Sequence, residues 1–290
     1  MTRIAFIGVG SMGAAIIPHL LGAGFQVSAW SRRSEAVEAL PGVTPLSQAR
    51  DAFLGHDVVM TMLSDDAAVR EVIIDSGALR AADRRVVHIV MSTLSTRFVS
   101  EIQAAHREAG VGYVAAPVFG VPAVAARAEL NVLLAGAGAD VQTAMPILAV
   151  ISKQIWPLGQ EPVRANIAKI AGNMMITLAI EAMAEASALV EGHGLPAADF
   201  FDVVTQTMFA CPSYQRYARN IATQSYAPGF KLALGLKDVN LALEAAAEAG
   251  AAVPSARIVQ NSMQQAMQDG NAAKDWSILA EAARQRPVDA

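Results

Sequence analysis

The chain contains one cysteine, Cys211, among 290 residues. A single thiol cannot form an internal disulfide or a cysteine-rich metal site, and this usage is typical of a reducing compartment. We therefore expect a cytoplasmic protein and no metal site.

Charged residues are also scarce. They make up 17% of the sequence, below the usual quarter, whereas 53% of the residues are hydrophobic. The net charge of −4 comes without a basic cluster, which argues against nucleic acid as a partner. This composition predicts that more surface than usual is buried in a core or in a subunit interface, and we therefore expect an oligomer.

The apolar segment 4–24 lacks the features of a signal peptide or a membrane span. No basic region precedes it, and Pro18, His19 and five glycines interrupt what would have to be a continuous lipid-facing helix. A buried strand followed by a helix explains the segment better, and we expect no membrane partner.

Short apolar runs alternate with helical stretches through the first half of the chain. The predicted strands are 3–8, 25–30, 57–63, 86–91, 112–116 and 131–136, and the predicted helices between them include 11–22, 65–74 and 95–109. This alternation indicates βαβ units and predicts an α/β fold, a doubly wound parallel sheet of the Rossmann type.

The pattern changes after Pro157, where long segments rich in alanine, methionine and glutamate replace the strands. Residues 163–191 can form one unbroken helix, and further helices are predicted at 197–209, 212–223, 235–249 and 254–269. We therefore predict a dinucleotide-binding domain at 1–161 and an all-α substrate and dimerisation domain at 162–290.

The first predicted strand runs into the loop GVGSMG, in which Gly8, Gly10 and Gly13 form G-x-G-x-x-G. An ordinary glycine-rich turn is the alternative. The strand, turn and helix context favours a dinucleotide: Gly8 allows the tight turn, Gly10 the approach of a pyrophosphate, and Gly13 close packing of the helix. Ser11 and Met12 lie at the helix N-terminus, where the anion would bind.

The end of the second predicted strand indicates which dinucleotide binds. NAD-specific sites place an acidic residue there, whereas this chain has Ser31, Arg32 and Arg33. Guanidinium groups match a 2′-phosphate in charge and geometry, so the residues favour NADP(H). The alternative is that both arginines are solvated surface charges.

The long helix carries Asn166, Lys169 and Asn173 on one side, spaced three and four apart. Such a polar stripe is often only a solvated face. However, hydride transfer to a carbonyl needs a proton donor at the developing alkoxide, and a partly desolvated lysine can serve near neutral pH.

Taken together, these motifs resemble the β-hydroxyacid dehydrogenase family, with 6-phosphogluconate dehydrogenase a more distant relative. The resemblance covers nearly the whole chain, and the segments that carry it are IGVGSMG at 7–13, TML at 61–63, MSTLS at 91–95, APVFG at 116–120, AKIAGN at 168–173, GLKDVNLAL at 235–243 and DWSIL at 275–279.

The resemblance implies roles for particular residues. Lys169 would be the catalytic lysine with Asn173 as its partner, and Ser92 and Thr93 would lie by the nicotinamide and substrate. Leu63 would contact the cofactor. The pair Lys237 and Asp238 would close the cleft, although exposed charges are the alternative for that pair. The family also implies a homodimer or homotetramer.

One departure concerns the substrate loop. Where the family commonly reads D-A-P-V-S-G-G, this chain has Phe119, Gly120 and Val121 in the last three positions. The serine and glycine amides of that loop normally hold a substrate carboxylate, so the change predicts a less anionic, more apolar substrate. Phe119 either packs as core or forms a pocket wall.

The sequence thus predicts an NADPH-dependent oxidoreductase that transfers hydride to a small aldehyde or keto acid, with Lys169 donating the proton. An imine reductase with an apolar pocket is the enzymatic alternative. Phe119 favours it, whereas Lys169 argues for carbonyl chemistry. An NADP-binding protein without turnover is the alternative of a different class.

Overall fold

A computed structural model describes residues 2–83 and 85–285. The chain divides into two compact units, Met1–Lys169 and Ile170–Ala290. Because this division falls inside one helix, the domain boundary predicted after residue 161 stays a prediction.

The described part of the first unit contains a nine-stranded sheet with the order β3-β2-β1-β4-β5-β6-β8-β7, in which β9 pairs with β8. Its strands are β1 Arg3–Ile7, β2 Gln26–Trp30, β3 Thr44–Pro45, β4 Val58–Thr61, β5 Val87–Val90, β6 Gly112–Ala115, β7 Val118–Phe119, β8 Leu130–Gly136 and β9 Ser152–Pro157. The six strands from β3 to β6 in this order are parallel.

Helices cover both faces of this sheet. They are α1 Ser11–Gly22, α2 Ser34–Glu38, α3 Asp66–Val69, α4 Thr96–Ala109, α5 Pro122–Ala125 and α6 Gly138–Ala149. Alternate residues of β1 enter different cores, since Ile4 and Phe6 pack on one face and Ala5 and Ile7 on the other. A strand buried on both faces has to be apolar throughout, which is why RIAFI does not alternate with polar residues.

The predicted doubly wound, mainly parallel sheet is confirmed, but its last strands were predicted wrongly. Instead of continuing the parallel series, β8 runs antiparallel to β6 and to β7. The connection from β6 to β8 holds the two-residue strand β7 and the four-residue helix α5, whereas a parallel crossover normally needs a full helix. The final strand, β9, was missed because Lys153 and Gln154 are exposed and interrupt the apolar run.

The second unit is helical, as predicted. It contains most of α7 Val163–Gly192, which begins in the first unit. The helices after it are α8 Ala197–Gln206, α9 Pro212–Ala222, α10 Leu232–Ala249, α11 Pro254–Gln268 and α12 Leu279–Gln285. A core that includes Phe201, Tyr217, Leu232 and Trp276 joins them. Predicted and observed helix ends agree to within about three residues, the usual uncertainty of helix boundaries.

By length and composition alone, α7 could cross a membrane. Its apolar Ile180 and Met183 pack in the helical core, and its buried side chains include the polar Asn173, Thr177 and Glu181. A core helix of a folded protein meets the same length and composition criteria, and these contacts are those of a core helix.

Candidate dinucleotide site and catalytic lysine

The glycine loop turns sharply at the carboxyl end of β1. Gly8 has φ +101°, which favours glycine, and a Cβ at this position would lie 2.2 Å from the carbonyl oxygen of Met62. The N–H of Gly8 donates to the carbonyl oxygen of Trp30 over 2.9 Å. The loop is therefore held between the ends of β2 and β4, where only glycine fits.

The same loop leaves an open cradle at the N-terminus of α1. A Cβ on Gly10 would meet no atom within 4 Å, whereas a Cβ on Gly13 would lie 2.4 Å from the carbonyl oxygen of Gly8. Gly10 caps the helix without a side-chain hydrogen bond, so the N–H groups of the first turn, from Ser11 to Gly13, remain for a ligand. These donors and the helix dipole suit a phosphate group.

Arg32 and Arg33 follow the end of β2, the neighbour of β1. The side chain of Arg32 is 60% exposed and forms an ion pair with Glu71 at an Nη2–Oε2 distance of 2.5 Å. Arg33 is exposed and caps α2 through its backbone. Arg32 is thus an exposed charge, as the alternative interpretation expected, but it is held by a carboxylate 39 positions further along the chain.

Leu63, Ser92 and Thr93 follow β4 and β5 at the same edge of the sheet. The N–H of Leu63 donates to Oγ of Ser92 over 2.8 Å, and Ser92 is buried. One predicted site residue therefore fixes the backbone of another. Thr93, the residue after Ser92, is partly buried.

A second hydrogen bond connects this loop to the first turns of α7. The N–H of Leu94 donates to Oδ1 of Asn166 over 3.1 Å, and Asn166 is fully buried. Its Nδ2 is buried without a hydrogen-bond partner in the described part of the chain. Because an unpaired buried donor is costly, this amide is suited to a ligand group. Sequence reasoning noted Asn166 only as one member of the polar stripe.

Lys169 lies one turn after Asn166 and is 7% exposed. Its Nζ lies 4.6 Å from the ring centroid of Phe119. The partly buried Phe119 also packs with Ala115, Leu133 and Ala135, so it is both a packing residue and the neighbour of the lysine. Gly120, with φ +149°, directly follows the end of β7 at Phe119, and Val121 comes next.

In the second unit, Asn173, Lys237 and Asp238 form a cluster. The Nδ2 of Asn173 donates to Oδ2 of Asp238 over 2.5 Å, and Nζ of Lys237 lies 2.9 Å from Oδ1. Asp238 is 1% exposed. The alternative of an exposed charge pair is therefore wrong for this carboxylate.

The polar stripe of α7 is not a solvated face. Asn166, Lys169, Asn173, Thr177 and Glu181 are all buried. Thr177 donates to the carbonyl oxygen of Asn173, and Glu181 accepts from Ser262 at 2.6 Å. Within residues 2–83 and 85–285, no group of three or more histidine, cysteine or acidic side chains is placed to hold a metal ion.

Two family profiles match consecutive parts of the chain. Residues 3–159 match the NAD binding domain of 6-phosphogluconate dehydrogenase. Residues 164–283 match the profile described as NAD-binding of NADP-dependent 3-hydroxyisobutyrate dehydrogenase.

Similar proteins match over nearly their full lengths. The uncharacterized oxidoreductase YfjR of Bacillus subtilis is 38% identical over 96% of this chain and 98% of its own. The NAD-dependent L-serine dehydrogenase of Pseudomonas aeruginosa is 29% identical over 96% of this chain and 97% of its own. The solved structure of Mycobacterium tuberculosis 3-hydroxyisobutyrate dehydrogenase with L-serine has a TM-score of 0.88 and 31% identity, and covers 98% of this chain and 99% of that one.

The Rossmann-type sheet, its glycine loop and the helical unit define an oxidoreductase that uses a nicotinamide dinucleotide. Within this class, the chain belongs to the β-hydroxyacid dehydrogenase family, as its motifs predicted.

Proposed function

We propose that this protein is an NADPH-dependent reductase that transfers hydride to a small carbonyl compound, with Lys169 as the proton donor. The observation that carries the proposal is the burial of this lysine, which is 7% exposed and one turn from Asn166. Asn166 in turn is hydrogen-bonded to the loop that follows Ser92 and Thr93.

For the cofactor, the glycine cradle supplies donors to the pyrophosphate through the N–H groups of Ser11, Met12 and Gly13. Arg32 and Arg33 receive the 2′-phosphate, because two guanidinium groups directly follow Ser31 and the first carboxylate after it in the sequence is Glu35. A bound reduced nicotinamide supplies the hydride. Leu63 and Thr93 are proposed to contact that end of the cofactor.

Lys169 acts on the substrate oxygen. As negative charge develops there, the ammonium group donates a proton and stabilises the alkoxide, and a buried setting strengthens this interaction. Ser92 is proposed to position the same carbonyl group by its hydroxyl. Asn173 lies one turn beyond Lys169 in α7 and is assigned to the catalytic group with it.

The cluster in the second unit has proposed roles that the family resemblance implies. Lys237 is assigned to the cofactor and Asp238 to the substrate. The ion pair with Lys237 and the hydrogen bond from Asn173 hold the Asp238 carboxylate in one orientation, since a buried carboxylate needs such partners.

The proposed substrate is a small aldehyde or keto acid whose distal end is apolar. Phe119, Gly120 and Val121 form the loop assigned to that end, and a phenyl ring cannot donate a hydrogen bond to a carboxylate. Phe119 also favours a second candidate, reduction of an imine. Lys169 favours the carbonyl, because a protonated lysine is placed to neutralise an alkoxide.

We also propose a cytoplasmic homodimer or homotetramer. Support comes from apolar side chains of the second unit that the described chain leaves exposed, among them Met175 at 67%, Leu189 at 65%, Val203 at 63% and Met208 at 80%. Isolated exposed apolar residues are ordinary, but this many in one small unit favours a subunit interface.

The test is NADPH oxidation against a panel of small aldehydes, keto acids and cyclic imines. Lys169→Ala should lower kcat on the best substrate by about a hundredfold to ten-thousandfold while NADPH still binds. The matched control is Lys153→Ala, at an exposed position of β9. Near-normal turnover by Lys169→Ala would show that the lysine is structural, and turnover of imines alone would establish the second candidate.

A further inference from the structure

We propose that Phe119 is a positioning residue for Lys169, because its ring holds the ammonium group against one aromatic face. The inference rests on the proposed role of Lys169 as proton donor. It adds a residue whose effect on the reaction passes through another side chain.

The contact has the geometry of a cation–π interaction. Nζ of Lys169 lies 4.6 Å from the ring centroid, inside the limit of about 6 Å at which a ring quadrupole attracts a cation. The lysine is 7% exposed, so little water screens the attraction. The ring face therefore stabilises the charged form that a proton donor needs.

The position of the ring is set by the backbone rather than by the lysine. Phe119 pairs with Asn131 in the antiparallel register of β7 and β8. At the next residue, Gly120, a Cβ would lie 2.5 Å from Cδ2 of Leu130, and φ is +149°. The positive φ favours glycine at this position, and the pairing of β7 with β8 fixes the backbone from which the ring projects.

Apolar packing also restricts the ring. Ala115, Leu133, Ala135 and Ala165 form the buried cluster against which Phe119 packs. Ala165 lies one turn before Lys169 on α7, so the ring and the helix that carries the lysine share one packing surface.

A fixed ring restricts a flexible donor. Lysine has a four-carbon stem whose rotamers would otherwise spread the ammonium group over many positions. With one side of Nζ against the ring, its N–H bonds are directed to the remaining side, which favours proton delivery along one direction. An aliphatic residue would fill the space but offer no negative face to the ammonium group.

Nuclear magnetic resonance tests the contact without any substrate. The chain has five lysines, Lys153, Lys169, Lys231, Lys237 and Lys274, so lysine labelled with ¹³C at Cε gives a simple spectrum. Lys169→Arg identifies the signal of Lys169, which should be shifted upfield by the ring current of Phe119. Phe119→Leu should abolish this shift, whereas Phe119→Tyr should keep it. A Lys169 signal that Phe119→Leu leaves in place would overturn the inference.

Kinetics test the consequence. Phe119→Leu should lower kcat on the best substrate of the panel by roughly threefold to thirtyfold, and Phe119→Tyr, which keeps an aromatic face, should lower it less. The KM for NADPH should not change. In a Lys169→Ala background the same Phe119→Leu change should have no further effect on kcat, because the ring acts through the lysine.

The outcomes separate this inference from the proposed function. If Lys169→Ala retains turnover, the proton donor is wrong and the positioning role falls with it. If Lys169→Ala loses turnover but Phe119→Leu lowers kcat equally with and without the lysine, only the positioning role is wrong. Circular dichroism of each variant establishes whether it is folded. If Phe119→Leu is not folded, Phe119→Tyr still tests whether an aromatic ring keeps the upfield shift of the Lys169 signal.

Discussion

His88 and His106 form a fully buried pair in which Nδ1 of His88 lies 2.8 Å from Nε2 of His106. The direction of the hydrogen bonds follows from the carbonyl oxygen of Ile102, which can only accept and lies 2.7 Å from Nδ1 of His106. Burial disfavours the charged form of both rings. In the neutral pair, Nε2 of His106 accepts from the Nδ1–H of His88, and Nε2 of His88 accepts from the hydroxyl of Thr61 at 2.7 Å.

Because of this buried histidine pair, we expect the folded protein to become less stable in mild acid. Burial lowers the pKa of His106 to about 4, and burial, together with the repulsion that a protonated His106 would exert, holds the pKa of His88 well below its usual range. In the unfolded chain both groups titrate near 6.5, so the unfolded state takes up protons first as the pH falls. The free energy of unfolding should decrease by up to about 1.4 kcal/mol per pH unit for each histidine from about pH 6.5 to pH 4.

Urea denaturation at a series of pH values measures this slope. His106→Gln should be less stable at pH 8, because it disturbs the hydrogen-bond chain, but its slope between pH 6.5 and pH 4 should be smaller. His193→Gln, at an exposed site, should keep the wild-type slope. An equal slope in His106→Gln and wild type would contradict the assignment.

Arg32 and Glu71 predict how the cofactor is selected. Arg32→Ala should weaken the binding of NADPH by about tenfold to a hundredfold, which is the contribution of one charge-assisted contact, and should change the affinity for NADH little. Glu71→Gln should increase the affinity for NADPH several-fold, since the carboxylate that is paired with Arg32 would repel a 2′-phosphate.

Calorimetric titration of both cofactors measures these affinities. Arg107→Ala is the matched control, because the exposed Arg107 near the end of α4 precedes β6 and so lies at the opposite edge of the sheet. Equal affinities of the wild type for NADPH and NADH would remove the predicted preference.

Phe119 predicts substrate selectivity. The wild type should have a higher kcat/KM for an aldehyde with an alkyl or aryl end than for the matched aldehyde acid, because the ring adds apolar contact worth about 25 cal/mol per Å² and no hydrogen bond. Phe119→Ser should shift this ratio towards the acid.

The ratio separates selectivity from the positioning effect on Lys169, which lowers kcat for both substrates alike. A wild-type preference for the acid that Phe119→Ser leaves unchanged would show that this residue does not set specificity.

Asp275, in the segment DWSIL, predicts a structural role. This carboxylate is 1% exposed and accepts from the N–H groups of Gly229 and Phe230 at 3.0 Å and from Oγ of Ser277 at 2.6 Å. Asp275→Asn should lower the free energy of unfolding by roughly 2 to 4 kcal/mol, because an NH₂ group would face these donors. Asp269→Asn, at an exposed helix end, should change it by less than about 0.5 kcal/mol in the same denaturant titration.

The sequence by itself determined most of the longer helices and strands and the cofactor loop. The position of Gly8 after an apolar run, and the change from strand-like to helix-like periodicity after Pro157, are local signals, and the structure follows both. Such signals are readable because backbone conformation and side-chain periodicity depend on neighbouring residues.

Tertiary structure alone decided which of these elements and charges meet. Three relationships join segments that are far apart in the chain. They are the antiparallel direction of β8, the pairing of Arg32 with Glu71 and the contact of Lys169 with the ring of Phe119. Their energies come from hydrogen bonding, packing and electrostatic attraction between groups that only the complete fold brings together. A polar stripe on a helix is the same in sequence whether it faces water or is buried, and only the packing of α7 settled that Lys169 is buried.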